Sequence, residues 1–321
     1  MNDLPILLTR RSGVVSRPQL LALGLAPQDI RRLLRRRDLV VLTPGVYLDH
    51  TGEPTWLQES WGAVLALWPA ALCHQSALRA ADGPGRRDVE RPLHVAVDRD
   101  RSPEPPPGVR LHRLADLDAK VQWNLCPPRI RIEEAVIDVA AEAGDDFAAV
   151  AVLSDAVQSR LTTAERMGSA LSGRSRIPRR GFLEAVLQDI AAGTCSVLEH
   201  GYLDRVERPH RLPRAGRQVR DSARGPVYRD VDHRDEGLVV ELNGRLFHDN
   251  AVDYDQDLER DLDLALSGRA TVRLGWGQVF RRPCRTAVRI GALLQSRGWQ
   301  GGPVPCSDCS QPGVRYAGAT G

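Results

Sequence analysis

Residues 228–248 read YRDVDHRDEGLVVELNGRLFH, and this stretch decides the fold of the C-terminal half of the chain. Asp230 and Asp232 alternate along one face of an extended segment. The turn-forming sequence Asp-Glu-Gly then leads into the apolar run of residues 237–243, which is rich in β-branched residues. Two extended segments joined by a short turn predict a β-hairpin.

Glu241 interrupts the apolar run, where most side chains should be buried. A buried carboxylate is costly unless it is paired or coordinates a cation. Asp230 on the first strand and Glu241 on the second are placed to share one Mg²⁺, because this ion binds one or two carboxylates and keeps several waters. The hairpin therefore predicts a hydrolytic metal centre that uses Mg²⁺ or Mn²⁺. Asp232 shares the face of Asp230 and is the alternative ligand.

Length and composition indicate how many domains the chain can form and what its charges suit. A chain of 321 residues with 42% hydrophobic residues can form two or three domains, each with its own core. The formal net charge is only +3, yet nearly all the cations are arginines, and the only lysine is Lys120. Arginine use of this kind suits bidentate phosphate contacts, although a GC-rich genome would produce it too.

The first residues carry an acid and a short apolar segment, which does not match a signal peptide. No apolar run reaches membrane-spanning length, and the six cysteines are scattered apart from Cys306 and Cys309. We therefore expect a cytoplasmic protein with reduced thiols and no membrane partner. The sequence does not reveal the oligomeric state.

Residues 10–50 have the layout of a small winged helix. Ser16 and Gly24 bracket a first helix, a second helix follows over residues 28–37, and a hairpin around a Thr-Pro-Gly turn completes the unit. The second helix has apolar residues at helical spacing and a basic opposite face, which is typical of a DNA-binding helix. A solvated basic face on a packing domain is the alternative. The predicted DNA contacts on this helix are Arg31, Arg32, Arg35 and Arg36.

The stretch GVVSRPQLLALGLAPQDIRRLLRRRDLVVLTPGVYL of residues 13–48 resembles the winged-helix domain of AbiEi-type antitoxins from type IV toxin–antitoxin systems. The resemblance covers about forty residues. It implies DNA binding, and it points to a cognate toxin protein as a further partner.

The remaining pattern predicts an α/β protein. The order helix, strand, hairpin, helix, strand, helix in the C-terminal part predicts a mixed sheet flanked by helices. In the middle region, His94 and His112 alternate with apolar residues and are expected to face solvent. We predict a winged-helix domain over 1–50, an α+β middle region over 51–172, a basic linker over 173–180, an endonuclease-like domain over 181–300 and a flexible tail over 301–321.

Four ordered blocks of the C-terminal part carry a second resemblance. They read SVLEHGYLDRVERP, YRDVDHRDEGLVVELNGRLFHD, DQDLERDLDLALSGRATVRLGW and RGW. Together they resemble a bacterial family of endonucleases related to very-short-patch-repair nucleases, within the PD-(D/E)xK superfamily. The resemblance implies a restriction-endonuclease-like fold and metal-dependent hydrolysis of DNA. Residue by residue, it matches Glu199, Asp230, Glu241, His248 and the pair Arg260–Asp261 to positions of the family pattern.

This resemblance assigns roles to the matched residues. Asp230 and Glu241 would hold Mg²⁺ or Mn²⁺, with Glu199 as an additional or water-mediated ligand, and the ion would lower the pKa of a bound water. His248 would carry a proton or contact phosphate, because its ordinary pKa lies near neutrality. Arg245 and Arg260 would neutralise charge on the DNA phosphate.

Asn243 departs from the family pattern, which carries an acid or a lysine at this position. An amide offers a carbonyl oxygen but no charge, so Asn243, counted in the predicted catalytic set, weakens the case for catalysis. Two functions stay open. One is a DNA endonuclease delivered by its winged helix, and the other is an antitoxin-like transcriptional regulator whose nuclease-like domain is inactive.

Cys306 and Cys309 have metal-like spacing, and Cys284 could supply a third thiolate. A structural zinc site needs four ligands, and the sequence shows no fourth. The favoured interpretation of this region is a flexible tail rich in Gly and Pro.

Overall fold

The fold is described from a computed structural model covering residues 3–83, 92–192, 196–221, 227–243 and 269–310. The chain divides into two compact units. Unit 1 contains residues 1–139 and 160–175, and unit 2 contains residues 140–159 and 176–321. The predicted α/β class is confirmed. The predicted domain boundaries are not tested by this division and stay predictions.

Unit 1 begins with a winged helix. Its first element, a helix over Asp3–Arg10, was not predicted, whereas the two later helices and the hairpin were. The three strands form an antiparallel sheet in the order β1-β3-β2. The elements are α1 (Asp3–Arg10), β1 (Val14–Ser16), α2 (Arg17–Ala22), α3 (Pro27–Arg36), β2 (Val40–Thr43) and β3 (Val46–Leu48).

The winged helix has its own apolar core. Val15, Leu20, Ile30, Leu39 and Tyr47 are buried in one cluster. Since these residues come from the sheet, from α2, from α3 and from the turn before β2, burying them fixes the position of both helices against the hairpin.

The remainder of unit 1 combines a five-stranded mixed sheet with helices. The strand order is β6-β5-β4-β8-β7, in which β5 pairs with β6 in parallel and with β4 antiparallel. The elements are α4 (Trp56–Ala66), β4 (Ala71–Leu72), α5 (His74–Asp82), β5 (Leu93–Asp98), β6 (Val109–Leu114), α6 (Leu117–Lys120), β7 (Val121–Gln122), β8 (Arg129–Ile130), α7 (Ile132–Ala141), which reaches the boundary with unit 2, and α9 (Ala164–Ser172).

Unit 2 is built around a four-stranded sheet in the order β12-β11-β10-β9. The neighbours β9, β10 and β11 run antiparallel, and β12 is parallel to β11. The elements are α8 (Asp146–Gln158), α10 (Arg180–Ala192), α11 (Ser196–Tyr202), a π-helical turn (Leu203–Glu207), β9 (Gly216–Asp221), β10 (Val227–His233), β11 (Leu238–Leu242), β12 (Ala270–Leu274), a second π-helical turn (Gly277–Arg281), α12 (Pro283–Ser296) and a 3-10 turn (Ser307–Ser310).

The hairpin that the sequence predicts is β10 and β11. Val231 lies opposite Val240, and Asp232 lies opposite Val239. Gly237 closes the turn with φ of +60°, a backbone conformation that favours glycine. Three consecutive residues of β11, 238–240, are buried, so the apolar run forms an interior strand and places Glu241 near its end.

Candidate nucleic-acid interface and predicted metal centre

Local hydrogen bonds set both ends of α3. The Asp29 carboxylate accepts a hydrogen bond of 3.1 Å from the Ala26 backbone N–H at the start of the helix. Pro27 occupies the first turn, where it removes no helical hydrogen bond. Arg37 ends the helix in the left-handed conformation, with φ of +61°. These signals fix where α3 begins and ends.

The two faces of α3 differ in chemistry. Ile30 is fully buried, and Leu33 and Leu34 pack against the same core. The four predicted DNA-binding arginines are exposed on the other side of the helix. They are Arg31, Arg32, Arg35 and Arg36.

Two of these four arginines form ion pairs, and two do not within the described residues. Arg32 lies 3.2 Å from Asp29, and Arg36 lies 3.3 Å from Asp38. Within the described residues, no ion pair joins Arg31 or Arg35 to an acid. Because they are four residues apart, these two share one face of the helix, with their guanidinium groups available to phosphate or base edges.

The wing lies beside the start of α2. Gly45, with φ of +77°, turns the chain between β2 and β3. Its carbonyl accepts a hydrogen bond of 2.7 Å from the Arg17 backbone N–H. Val41 on β2 is 62% exposed, so this edge of the wing is open to solvent. A basic helix beside an open wing is an arrangement that can contact the groove and the backbone of duplex DNA.

In unit 2, Asp232 at the predicted metal centre is buried and forms ion pairs. This side chain is 2% exposed, and its carboxylate is paired with Arg269 and, at 3.4 Å, with Arg234. This carboxylate is engaged by two arginines within the fold, and removing its buried partner would leave an uncompensated buried charge. The choice between Asp230 and Asp232 as metal ligand stays a prediction.

Glu241 lies on the same sheet face as Asp232, because Asp232 is opposite Val239 and side chains alternate along a strand. Its carboxylate accepts a hydrogen bond of 3.1 Å from Arg273 of the neighbouring strand. This ion pair gives the Glu241 carboxylate a partner that could not be identified from the sequence. Asn243 is half-buried just beyond β11, and its backbone N–H donates to the carbonyl of Leu274 at 2.8 Å.

Glu199 is half-buried in the first turn of α11. The buried Asp189 fixes the beginning of this helix by accepting a hydrogen bond of 2.7 Å from the Val197 N–H. The side chain of Asp230 falls outside the described part of the chain, although its backbone lies in β10. The predictions for Arg245, His248, Arg260 and Asp261 also lie outside the described residues.

The residues present do not make a complete Mg²⁺ site within the described part of the chain. Two groups of three or more potential metal ligands occur there, and neither contains Glu199 or Glu241. Glu241 offers one carboxylate, and Arg273 already engages it.

Three stacked histidines in unit 1 were missed by the sequence analysis. The rings of His74 and His112 lie 3.8 Å apart between centroids, and His94 Nδ1 lies 2.9 Å from His112 Nε2. His94 is buried, so the prediction that it faces solvent is wrong. The reason is that β5 is an interior strand with neighbours on both sides, and its first five residues are buried.

This cluster predicts a pH dependence of stability. Burial, with the nearby charges of His94 and Arg110, lowers the pKa of His74 to about 3. The unfolded chain binds a proton near pH 6.5, so His74 lowers the free energy of unfolding as pH falls from about 6.5 toward 3, by up to about 1.4 kcal/mol per pH unit. We expect His74→Asn to lose this slope in urea unfolding.

Two features of this comparison isolate the effect of His74. Asparagine tolerates the positive φ of +49° at residue 74, so the backbone is kept. Burial raises the pKa of Asp138 to about 6, so Asp138 adds stability below its unfolded pKa that is lost as pH rises through about 6. Its effect opposes that of His74 but is common to both proteins. Equal slopes in wild type and variant between pH 7 and 4.5 would contradict the prediction.

Comparison with known proteins gives different results for the N-terminal and C-terminal parts of the chain. Residues 2–48 match the family described as "Transcriptional regulator, AbiEi antitoxin". The match confirms the AbiEi-type resemblance of the N-terminal segment and spans α1 to β3, including the basic helix. The AbiEi-type domain supports a DNA-binding regulator. The resemblance of the C-terminal part to very-short-patch-repair-like endonucleases stays a prediction.

No curated protein matches the chain. A solved structure, the RV2827C protein from Mycobacterium tuberculosis, is similar with a TM-score of 0.38 and 22% identity, over 59% of this chain and 79% of that chain. A likeness at this level establishes neither fold nor function. Within the described residues, every helix is too short or too polar to cross a membrane.

Proposed function

We propose that this chain is a DNA-binding transcriptional regulator of the AbiEi antitoxin kind, with α3 lying in the major groove of duplex DNA. The observation that carries the proposal is the exposed basic face of α3 on a winged helix that matches this regulator family. Arg31 and Arg35 would contact phosphates or guanine edges, because an arginine fork matches both geometrically.

The remaining residues of this interface have supporting roles. Arg32 and Arg36 can exchange their exposed ion partners for phosphates at little cost, since surface salt bridges contribute about 0–1 kcal/mol. The wing, anchored through Gly45 to the start of α2, would follow the DNA backbone beside the groove. A cognate toxin protein as further partner rests on the description of the matched family alone.

A metal-dependent DNA endonuclease is the second candidate function. It is favoured by the hairpin register, because Val231 lies opposite Val240 and the next pair along the ladder is position 230 with position 241. Acids at paired backbone positions of a hairpin are suitable candidate ligands for Mg²⁺. The ion pair of Glu241 with Arg273 and the amide at Asn243 argue against it, so this candidate stands second.

One experiment separates the two candidates. Full-length protein is titrated into a labelled duplex taken from the DNA immediately upstream of its own gene, and into a shuffled duplex of equal length. A regulator is expected to bind the upstream duplex about 10³-fold more tightly or better. It should leave the duplex intact when Mg²⁺ or Mn²⁺ is added. Binding is read by fluorescence anisotropy and integrity by denaturing gel.

The other outcomes are equally informative. Cleavage in Mg²⁺ by wild type, lost in Glu241→Ala and kept in Asp235→Ala, would establish the endonuclease in place of the regulator. Asp235 is the matched control, because it is an exposed acid in the turn of the same hairpin. Equal affinity for the upstream and shuffled duplexes, or no binding to either, would contradict a sequence-specific regulator.

A further inference from the structure

Four potential metal ligands meet in unit 2, far from the winged helix in sequence. His210, Cys284, Cys306 and Cys309 have ligand atoms that all lie within 4.8 Å of one another. His210 is fully buried, and Cys284 is 7% exposed. The sequence showed three of these residues, and His210 is the fourth ligand that was missing.

The distances between these atoms match a tetrahedral zinc site. Zn–S bonds of about 2.3 Å place two sulfurs about 3.8 Å apart at tetrahedral angles, and a sulfur and a nitrogen about 3.5 Å apart. Cys306 Sγ lies 3.6 Å from Cys284 Sγ and 3.5 Å from Cys309 Sγ. Cys309 Sγ lies 3.5 Å from His210 Nε2. A disulfide would need a separation of about 2.05 Å, and none of these three cysteines is disulfide-bonded in the structure.

His210 is held in the orientation and tautomer that a metal ligand needs. Its Nδ1 lies 2.9 Å from the carbonyl oxygen of Val206. Since a carbonyl oxygen only accepts hydrogen bonds, Nδ1 carries the proton, and Nε2 presents its lone pair toward the thiols. Metal-binding histidines are typically fixed in this way through the ring nitrogen that does not bind the metal.

The backbone around the last two cysteines forms a turn suited to metal binding. The Cys309 N–H donates to the Cys306 carbonyl at 3.1 Å. The Cys306 N–H donates to the Cys309 sulfur at 3.2 Å, a contact that stabilises a thiolate. Val304 donates its N–H to the His210 carbonyl at 2.9 Å, which ties the approach to this turn to the histidine segment.

We propose that His210, Cys284, Cys306 and Cys309 bind one Zn²⁺ as a closed structural Cys3His site. Four protein ligands leave no open position for water or substrate, so the ion serves structure and not catalysis. The ligands come from the segment after α11, from the first turn of α12 and from residues 306–309. The ion would therefore fix the C-terminal turn onto the helical part of unit 2, in place of a flexible tail.

The test begins with the wild-type full-length chain, so that it does not depend on any variant folding. The chain is purified from zinc-supplemented culture and its metals are counted by mass spectrometry. We expect one zinc per chain. Thiols are then titrated in the native protein before and after a strong zinc chelator is added, and three further thiols should react once the metal is removed. Co²⁺ added to the metal-free chain should give the charge-transfer bands of tetrahedral thiolate coordination.

Matched variants locate the site. Cys309→Ser is expected to lose the zinc and the cobalt bands, whereas Cys126→Ser, which removes an exposed thiol outside the cluster, should keep both. Cys73→Ser is the second control, because Cys73, His74 and His112 form the other potential ligand group of the described residues. Zinc lost in Cys73→Ser but kept in Cys309→Ser would overturn the assignment.

Three wild-type results would also overturn it. These are a chain that retains no zinc and gives no thiolate bands with Co²⁺, a chain that carries iron in place of zinc, and a disulfide among Cys284, Cys306 and Cys309 found by peptide mapping under non-reducing conditions. None of these results would affect the proposed DNA-binding function, because the winged helix belongs to unit 1.

Discussion

The double variant Arg31→Ala/Arg35→Ala is expected to bind DNA about 100-fold more weakly than wild type. An arginine bidentate to a base edge contributes about 1–3 kcal/mol, and two losses of about 1.4 kcal/mol add to about 2.8 kcal/mol, which is a 100-fold change in affinity. The two side chains share one face of α3, and neither has an ion pair within the described residues, so replacing them removes contacts to DNA and leaves no acid unpaired. Affinity is measured by anisotropy on the upstream duplex.

The folded state should survive this double change. Both positions are exposed, and alanine has the highest helix propensity, so circular dichroism and the unfolding midpoint should stay close to wild type. Arg208→Ala is the matched control, because it removes an exposed arginine of unit 2 that pairs with Asp204. Wild-type affinity in the double variant, or an equal loss in Arg208→Ala, would contradict the assignment of α3 as the DNA-binding helix.

Arg269→Ala is expected to destabilise unit 2 by about 3–5 kcal/mol, because it leaves the Asp232 carboxylate buried with only one partner at the surface. The Arg269 side chain is 22% exposed, so water cannot fully replace it. Arg234 pairs with the same carboxylate but is 70% exposed, so Arg234→Ala should cost about 1 kcal/mol or less. The two variants remove the same charge and differ in burial.

Hydrogen exchange followed on peptides from β10 and β11 measures this effect within unit 2, without a contribution from unit 1. The protection of these strands should fall in Arg269→Ala and stay near wild type in Arg234→Ala. A double change of Asp232→Val with Arg269→Met should recover most of the protection, because an apolar pair of similar size replaces the ion pair. Equal protection in the two single variants would contradict a structural role for the buried pair.

The sequence predicted the winged helix because its signals are local. Ser16, Pro27 and the apolar spacing of Ile30, Leu33 and Leu34 act over a few residues, and the structure confirms the helices and the hairpin that they indicate. The first helix, Asp3–Arg10, was missed because the segment is short and none of its residues is fully buried, although Leu4, Leu7 and Leu8 lie at helical spacing and pack against the winged-helix core.

The hairpin of unit 2 was predicted for a similar reason. Alternation in β10, turn chemistry and the apolar run of β11 lie within one continuous stretch. The partners of its acids could not be predicted, because Arg273 lies in β12 and Arg269 directly precedes it, well after the hairpin in the chain. Only the tertiary structure shows that Asp232 and Glu241 have arginine partners, and this is the finding that lowers the endonuclease to second place.

The candidate zinc ligands show the same limit. Cys306 and Cys309 could be read from their spacing, whereas His210 carries no pattern of its own and follows a proline where a helix ends.

The histidine cluster of unit 1 was not predicted, for a different reason. Alternating polar residues usually mark a solvated strand face, but β5 is covered on both sides, and His94 is buried there beside His112.

The salt dependence of DNA binding tests the central claim most directly, because it counts the phosphates that the protein neutralises. The logarithm of the affinity is measured against the logarithm of the salt concentration for wild type and for Arg31→Ala/Arg35→Ala. If both arginines contact phosphate, the slope should become shallower by about 1.8 in the double variant, which is about 0.9 for each lost contact. Identical slopes, together with unchanged affinity at low salt, would show that DNA does not bind at α3.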